Sequence, residues 1–158
     1  MTDKYRPLKD ALGRFATGIA VAACRNGDGE IKALTINSFT SVSLDPPLVL
    51  WCLENRASSY SSFMSADAYS VNVLRADQRQ VSDHFAGFLP DPIGEEGFEA
   101  WKTGAPVLKE HLAAFDCKIV ARHDAGDHVV LVGAVEQFSC NEGKPLIYYA
   151  SNYYQGTD

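Results

Sequence analysis

The stretch IAVAACRNGDGEIKALTIN, residues 19–37, contains two apolar segments separated by a short polar connector. Residues 19–24 and 31–37 are rich in apolar and β-branched side chains, which favours two β-strands. The connector RNGDGE contains both Asn-Gly and Asp-Gly, the dipeptides that tight hairpin turns prefer because glycine accepts a positive φ. The stretch therefore predicts an antiparallel β-hairpin.

Further strand-like segments follow this hairpin along the chain. Residues 48–53 (LVLWCL) are continuously apolar, as expected for a strand buried on both faces. Four more strands are predicted, and the turns HDAGD and NEGKP separate the last three of them. These strands cover residues 69–73, 115–122, 129–138 and 146–149.

Short helices are predicted beside the strands. Tyr5, Leu8, Leu12 and Phe15 recur near helical spacing, which indicates an amphipathic N-terminal helix ending near Gly18. Residues 58–64 and 77–86 favour two more short helices, whereas residues 87–107 are rich in Gly and Pro and predict a long loop that is either functional or mobile.

The order of these elements predicts the fold class. Strands that alternate regularly with longer helices would indicate a parallel sheet, but most of these strands are joined by hairpins. We therefore expect a mainly β protein in which about six of these strands form an antiparallel barrel, with a few short flanking helices. At 158 residues the chain is predicted to be a single domain, residues 1–158.

Composition excludes several classes of function. The net charge of −6 argues against nucleic-acid binding, because no basic stripe is present to contact phosphates. The sequence shows neither a basic-then-apolar leader nor an apolar run of membrane-spanning length, so we expect a cytoplasmic protein with no membrane partner. The four cysteines form no CxxC pair and are predicted to be reduced, mostly buried thiols.

Conventional catalytic motifs are missing. The four histidines are scattered without metal-ligand spacing, so no metal site is predicted. No serine lies in a GxSxG motif, and neither a GxGxxG turn nor a P-loop occurs. Any chemistry is therefore expected to come from a bound cofactor.

The segment TINSFTSVSLDPP, residues 35–47, is the first candidate binding segment. It places five hydroxyl side chains and Asn37 between two apolar stretches and ends on a double proline. Hydroxyls and backbone N–H groups in a bend between strands can hold a phosphate or the polar edge of a ring. The alternative is a Ser/Thr-rich turn that satisfies only its own backbone.

Two further patches have both a binding and a structural interpretation. Ser58 and Ser59 follow the buried strand at the start of a predicted helix, where they could bind an anion or simply cap the helix. His128 lies in the turn GDH, which read alone is an ordinary hairpin turn with an exposed histidine. Phe85 and Tyr153 could stack on a planar ring or belong to the core.

The order and spacing of several motifs resemble the flavin reductase-like proteins, short NAD(P)H:flavin oxidoreductases built on the FMN-binding split barrel. The resemblance extends from about Leu8 to Tyr154. Its most specific parts are NSFTSVSLDPPL and, about eighty residues later, GDHVVLVGAV. The other matching motifs are ALGRFATGIAV, ENRASSYSSF, YSVNVLRADQRQVSDHFA, WKTGAPVL and PLIYYASNYY.

The resemblance implies a homodimer that binds FMN or FAD, uses NADH or NADPH as co-substrate and passes reduced flavin to a separate monooxygenase. It places the flavin ring edge against one group of residues, the ribityl chain against a second and the phosphate on Ser58 and Ser59. It also implies that Phe85 lies close to the flavin, that His128 positions the nicotinamide and that Tyr153 lies near the same pocket. The ring-edge group is Thr35, Ile36, Asn37, Ser38, Ser41 and Val42, and the ribityl group is Cys52, Leu53, Glu54 and Asn55.

The C-terminal stretch ASNYYQGTD departs from the family pattern, since many relatives have a glycine and a basic residue around the tyrosine. The sequence alone leaves two other functions open. One is a non-enzymatic protein that stores or senses FMN, and the other is a barrel that carries a different small ligand. It does not distinguish FMN from FAD or NADH from NADPH.

Overall fold

The computed structural model describes residues 2–88 and 93–155, in which β-strands predominate. The predicted first hairpin is confirmed: Ala20 pairs with Ile36 and Arg25 with Ile31 in antiparallel register. The strands are β1 (Thr17–Gly18), β2 (Ala20–Arg25), β3 (Ile31–Ile36), β4 (Thr40–Leu44), β5 (Pro47–Glu54), β6 (Ala68–Val73), β7 (Phe98–Ala100), β8 (Pro106–Leu108), β9 (Ala113–Ala125), β10 (His128–Cys140), β11 (Leu146–Tyr149) and β12 (Asn152–Gln155).

The main sheet has seven strands rather than the predicted six, in the order β3-β2-β6-β9-β10-β5-β4. All of its strand pairs are antiparallel. The additional strand is β4, which lies in the hydroxyl-rich segment that was predicted to be a bend. It pairs with β5 because the chain reverses direction at Asp45 and Pro46, bringing Leu44 opposite Pro47. Among the described residues β3 and β4 remain separate edge strands, so the sheet is not a closed barrel.

The core is packed on the two faces of this sheet. One cluster is centred on the fully buried Trp51, Phe63 and Tyr69 rings, and the other contains Ile19, Val21 and Leu74. The Tyr69 hydroxyl donates a hydrogen bond of 3.0 Å to the carbonyl of Leu131. These clusters fix the positions of β3 and β5, which carry five of the predicted site residues.

The N-terminal helix α1 (Arg6–Leu12) is shorter than predicted and none of its residues is buried. It ends at Leu12 rather than near Gly18, because Thr17 and Gly18 pair with β11 as β1. The apolar face that predicted the helix is present but exposed: the exposed fractions are 59% for Leu8, 66% for Leu12 and 81% for Phe15.

Two further helices correspond to predicted ones. Helix α2 spans Tyr60–Ser65, and α3 spans Arg79–Phe85 after a short 3-10 turn at Ala76–Gln78. The C-terminal strands β11 and β12 form a separate three-stranded sheet with β1.

The segment 87–107 is not entirely loop. Phe98 pairs with Leu108, so β7 and β8 form a small antiparallel sheet within it. The pairing leaves Trp101–Ala105 as the connecting turn, in which Gly104 has a φ of +87°. Residues 89–92 of the predicted loop, like residues 156–158 at the C-terminus, lie outside the described residues.

Candidate functional site

The candidate site lies along β3, an edge strand of the main sheet. Helix α3 packs against β3, and two cavities lie along this strand: one is lined by β3 and by residues that follow α3, the other by β3 and α3. One cavity, which we call the Tyr153 cavity, has a volume of about 320 Å³. The other, the Ser58 cavity, has a volume of about 490 Å³.

The Tyr153 cavity brings together four of the sequence-predicted residues. Thr35, Ile36 and Asn37, at the end of β3, form one wall, and Tyr153 of β12 forms another. The remaining lining comes from Ile19, Ala86, Phe88 and Tyr148. Apolar and aromatic side chains around a few polar groups are typical of sites for planar ligands.

A buried serine joins the two walls of this cavity. The backbone carbonyl of Ser82, in α3, accepts a 2.7 Å hydrogen bond from the Thr35 hydroxyl. The Ser82 hydroxyl is 2.8 Å from the Tyr153 hydroxyl. The guanidinium of Arg79, one turn earlier in α3, lies 4.8 Å from the centre of the Tyr153 ring, a cation–π distance.

Neither Ser82 nor Arg79 is among the site residues predicted from the sequence. The only signal for Ser82 was its position beside the apolar Val81 and Phe85, on the side of α3 that packs against the sheet. Its role depends on a strand that follows more than sixty residues later, so no local pattern could identify it.

Ser38 and Cys52 are also brought together, by a pair of contacts between the β3–β4 connection and β5. The Ser38 hydroxyl accepts a 2.9 Å hydrogen bond from the Cys52 N–H and lies 3.3 Å from the Cys52 carbonyl oxygen. This clasp fixes the path of the chain between Asn37 and β4. The Ser38 hydroxyl is thus already engaged with the backbone.

Ser41 and Val42 lie elsewhere, on the opposite edge of the sheet. Both are exposed residues of β4, where the register with β5 shifts between Ser41 and Ser43. They line neither of the two cavities. The single chain therefore does not bring them together with Thr35 and Asn37 in one cavity.

The Ser58 cavity contains three predicted residues: Ser58, Ser59 and Phe85. Ser59 is only 7% exposed, yet its hydroxyl forms no capping bond to α2. Within the described residues, neither the hydroxyls nor the backbone N–H groups of Ser58 and Ser59 have a hydrogen-bond partner. Unpaired donors that line a cavity can hold a phosphate group.

Other residues of the Ser58 cavity were not predicted from the sequence. Lys32 of β3 contributes a cation, paired with Glu30 at 3.3 Å. His84 lines the same cavity, and its Nε2 accepts a 3.4 Å hydrogen bond from the Ile93 N–H. Lys32 belongs to the hairpin that the sequence did predict, but nothing in its surroundings indicated a cavity.

His128 is the first residue of β10 and lies opposite Glu54 of β5. Its Nδ1 is 2.7 Å from the Asp127 carboxylate, and this hydrogen bond is the main cause that lowers the pKa of Asp127. The Asn55 N–H donates a 2.9 Å hydrogen bond to the Asp127 carbonyl. The GDH turn is thus joined to the end of β5, although His128 lines neither cavity.

The predicted ribityl residues differ in accessibility. Leu53 is fully buried in the core, so only its main chain is available to a ligand. Cys52 is partly buried, and burial raises the pKa of its thiol. Glu54 and Asn55 are exposed.

The four cysteines are free thiols. Cys24 and Cys117 are buried as predicted, and burial raises the pKa of each thiol to about 12. Cys140 is exposed instead. Within residues 2–88 and 93–155, no cluster of three or more His, Cys, Asp or Glu side chains could hold a metal ion, and no helix is long and apolar enough to span a bilayer.

Comparison with known proteins yields consistent matches. The profile of the family described as "Flavin reductase like domain" matches residues 12–157. An NADH-dependent flavin reductase of a Rhodococcus species is 40% identical over 149 residues, which cover 92% of this chain and 83% of that protein. The reductase component of 4-hydroxyphenylacetate 3-monooxygenase of Thermus thermophilus is 39% identical over 148 residues, covering 92% of this chain and 93% of the relative.

A solved structure matches over the full length. The structure titled flavin reductase PheA2 in its native state has a TM-score of 0.91 at 35% identity, covering 99% of this chain and 100% of that one. Some relatives are longer, and this chain spans about half the length of two of them.

Proposed function

The chain belongs to the flavin reductase-like family, and on that premise we propose that it is an NAD(P)H-dependent flavin reductase that supplies reduced flavin to a separate monooxygenase. The observation that carries the proposal is the pair of cavities along β3. Their polar groups are those expected for a ring edge at one end and a phosphate at the other. The names of similar proteins support the same activity.

We assign the flavin ring to the end of β3, beside Thr35, Ile36, Asn37 and Ser38. Among the described strands β3 lies at an edge of the sheet, so its outward backbone N–H and C=O groups pair with none of them and can hydrogen-bond to the polar edge of the ring. Cys52, Leu53, Glu54 and Asn55 would follow the ribityl chain. The free donors of Ser58 and Ser59 would then hold the phosphate, with Phe85 between the two ends.

A flavin held by these residues would supply the redox chemistry, acceptance of a hydride from a reduced nicotinamide, and the chain would have to hold the two rings close together. No side chain has to exchange a proton in that step. The residues of this chain therefore act by orienting the two rings, excluding water and donating hydrogen bonds to the flavin ring. Because these roles require no proton transfer by a side chain, they account for the absence of an acid–base motif from the sequence.

We assign positioning of the nicotinamide to His128. The Asp127 carboxylate lies 2.7 Å from its Nδ1 and restrains the orientation of the imidazole. Tyr153, held by Ser82, would contribute an aromatic surface near the flavin ring.

We further propose that the protein is a homodimer and that its sheet corresponds to the FMN-binding split barrel of the family. Two observations support the dimer. The apolar face of α1 is exposed, and Leu44 on the edge strand β4 is 93% exposed. A second subunit would cover such surfaces, and it would complete a groove to which Ser41, Val42 and His128 contribute.

The decisive experiment is a steady-state assay of NADH and NADPH oxidation with FMN and FAD supplied separately. We expect oxidation of at least one nicotinamide to accelerate with added free flavin and to saturate with its concentration. If the protein binds flavin but never accelerates nicotinamide oxidation, the reductase assignment is wrong. The same assay identifies the preferred nicotinamide.

A further inference from the structure

Thr17 of β1 has a buried hydroxyl group that is left unpaired. Its Oγ1 has no hydrogen-bond partner among the described residues. An unpaired buried hydroxyl destabilises a folded protein, and native structures satisfy most such groups with a protein partner or with ordered water. Thr17 is not among the site residues predicted from the sequence, so its hydroxyl is a feature outside the proposed flavin contacts.

Thr17 lines a small cavity, the Thr17 niche, with a volume of about 60 Å³. A cavity needs roughly 10–15 Å³ to admit one water molecule, and a buried water needs at least two polar partners. Among the described residues that line the niche, Asn37 has the only other polar side chain. The remaining side chains are apolar and cannot satisfy the Thr17 hydroxyl: Ile19, Ala20, Ile36, Phe39 and Val73.

Asn37 connects the niche to the proposed flavin site. It lines both the Thr17 niche and the Tyr153 cavity, to which the ring edge is assigned. It follows the end of β3 at Ile36, and its side-chain amide forms no hydrogen bond within residues 2–88 and 93–155. Because an amide has a donor end and an acceptor end, an unrestrained Asn37 could present either of them to a ligand.

Thr17 is held more firmly than Asn37. Its backbone pairs with Tyr148 of β11, and two residues later the Ile19 carbonyl accepts a 2.9 Å hydrogen bond from the Leu74 N–H. Its branched Cβ also restricts rotation of the side chain. A molecule hydrogen-bonded to Thr17 is therefore held in a defined position beside the end of β3.

We propose that the Thr17 niche binds an ordered water molecule that joins the Thr17 hydroxyl to the Asn37 amide, and that Thr17 is thereby a positioning residue for the flavin ring. The water would satisfy the buried Oγ1 and hold one end of the amide, which leaves the other end for the polar edge of the ring. The positioning role rests on the proposed function, whereas the water site does not.

The water site is tested in the flavin-free protein, by high-resolution crystal structures of the wild type and of Thr17→Val. The substitution keeps the shape of the side chain and removes the hydroxyl. We expect a water about 2.6–3.2 Å from Thr17 Oγ1 in the wild type and its loss in the variant. A wild-type niche without such a water, or a water that persists in Thr17→Val, would overturn the water site whatever the protein's activity.

The positioning role is tested by titration with FMN and with FAD, followed by flavin fluorescence and by the absorption spectrum of the bound flavin. In Thr17→Val we expect flavin affinity to fall about fivefold, the size of one hydrogen bond, and the spectrum to shift. Thr17→Ser keeps the hydroxyl and should restore both. Thr40→Val, at an exposed position of β4, is the matched control and should change neither.

Unchanged affinity and spectrum in Thr17→Val would overturn the positioning role and leave the proposed function intact. A wild type that binds flavin without oxidising a nicotinamide would overturn the reductase proposal, and the binding measurements would still decide the role of Thr17. A wild type that binds neither flavin would overturn both the proposed function and the positioning role.

A double-mutant cycle shows whether Thr17 acts through Asn37. In an Asn37→Ala background, Thr17→Val should cause no further loss of flavin affinity, because the amide that the water would hold is already gone. A further fivefold loss in that background would mean that Thr17 does not act through Asn37, and it would overturn the proposed route.

Discussion

Two of the regions that carry proposed ligand-binding residues are built differently. The segment from β3 to β5 belongs to the seven-stranded sheet. Trp51 and Leu53 of β5 are fully buried, and the Ser38 hydroxyl is hydrogen-bonded to the Cys52 backbone. The C-terminal hairpin of β11 and β12 belongs to a separate three-stranded sheet. Its turn residues Ala150 and Ser151 have φ values of 48° and 65°, which are strained for residues with a Cβ.

The first region is held in place by its sheet and the core, whereas the C-terminal hairpin is attached to α3 through Tyr153. In the first region, ladder hydrogen bonds and the core fix the backbone on which the flavin would lie. In the second, Tyr153 is 2.8 Å from Ser82 and stacks with Arg79, both from α3. Substitutions in the first region should therefore affect stability and flavin binding together, whereas those in the hairpin should have smaller and more separable effects.

The largest effect is expected for Ser38→Ala. Removal of the hydroxyl leaves the Cys52 N–H without its 2.9 Å acceptor in a partly buried position, which should lower the free energy of unfolding by about 2 kcal/mol. Urea denaturation measures the change, and Ser43→Ala on β4 is the control. An unchanged unfolding midpoint would mean that the clasp does not stabilise the first region.

His128→Ala tests the turn attached to the first region. Loss of the imidazole should raise the KM for NAD(P)H about tenfold, equivalent to about 1.4 kcal/mol, with little change in flavin affinity. Asp127→Asn should produce a smaller increase, because it removes only the partner that orients the ring. His123→Ala, on the exposed end of β9, is the control. Unchanged nicotinamide kinetics in His128→Ala would refute the assigned role.

The pKa of Asp127 adds a pH dependence to this comparison. Because its hydrogen bond to His128 lowers the pKa of Asp127, the contact contributes fully above the ordinary pKa of an aspartate. The contribution is lost as the pH falls through the lowered value. The difference in the free energy of unfolding between wild type and Asp127→Asn should therefore shrink as the pH falls through the lowered value, and urea denaturation at acid pH measures it.

The first region was largely predictable because its signals are local. Asn-Gly and Asp-Gly fixed the first hairpin, and the apolar run LVLWCL identified β5 as a buried strand. The strand β4 was missed because its hydroxyl side chains resemble a polar bend. It forms only because the turn at Asp45 and Pro46 folds it back onto β5.

The candidate site was less predictable, because its contacts join distant parts of the chain. Ser82 meets Tyr153 across 71 residues, and neither position has a local pattern that indicates the contact. The Ser58 cavity similarly combines the first hairpin with α3 and residues 93–95. Ser58 and Ser59 were predicted through family resemblance, whereas Lys32 and Ser82 required the structure.

Tyr153→Phe tests the tether of the second region. The variant keeps the ring and its stacking with Arg79 but removes the hydroxyl that contacts Ser82, so we expect a loss of about 1 kcal/mol in stability. Thermal unfolding measures it, and Tyr154→Phe, at a 49% exposed position, is the matched control. Equal losses of stability in the two variants would show that the contact with Ser82 does not stabilise the hairpin.

The smallest change in stability is expected at the turn of the hairpin, and it is a gain rather than a loss. Ser151 has a φ of 65°, and a two-residue hairpin turn with positive φ at both positions favours glycine. Ser151→Gly should therefore stabilise the protein by roughly 0.5–1 kcal/mol, since relief of backbone strain exceeds the entropy that glycine loses on folding. Ser151→Ala retains the Cβ and should give no gain. A destabilised Ser151→Gly variant would mean that the serine side chain makes a favourable interaction at this turn. The hairpin would then be stabilised by its own turn residues, as the first region is stabilised by the contact between Ser38 and Cys52.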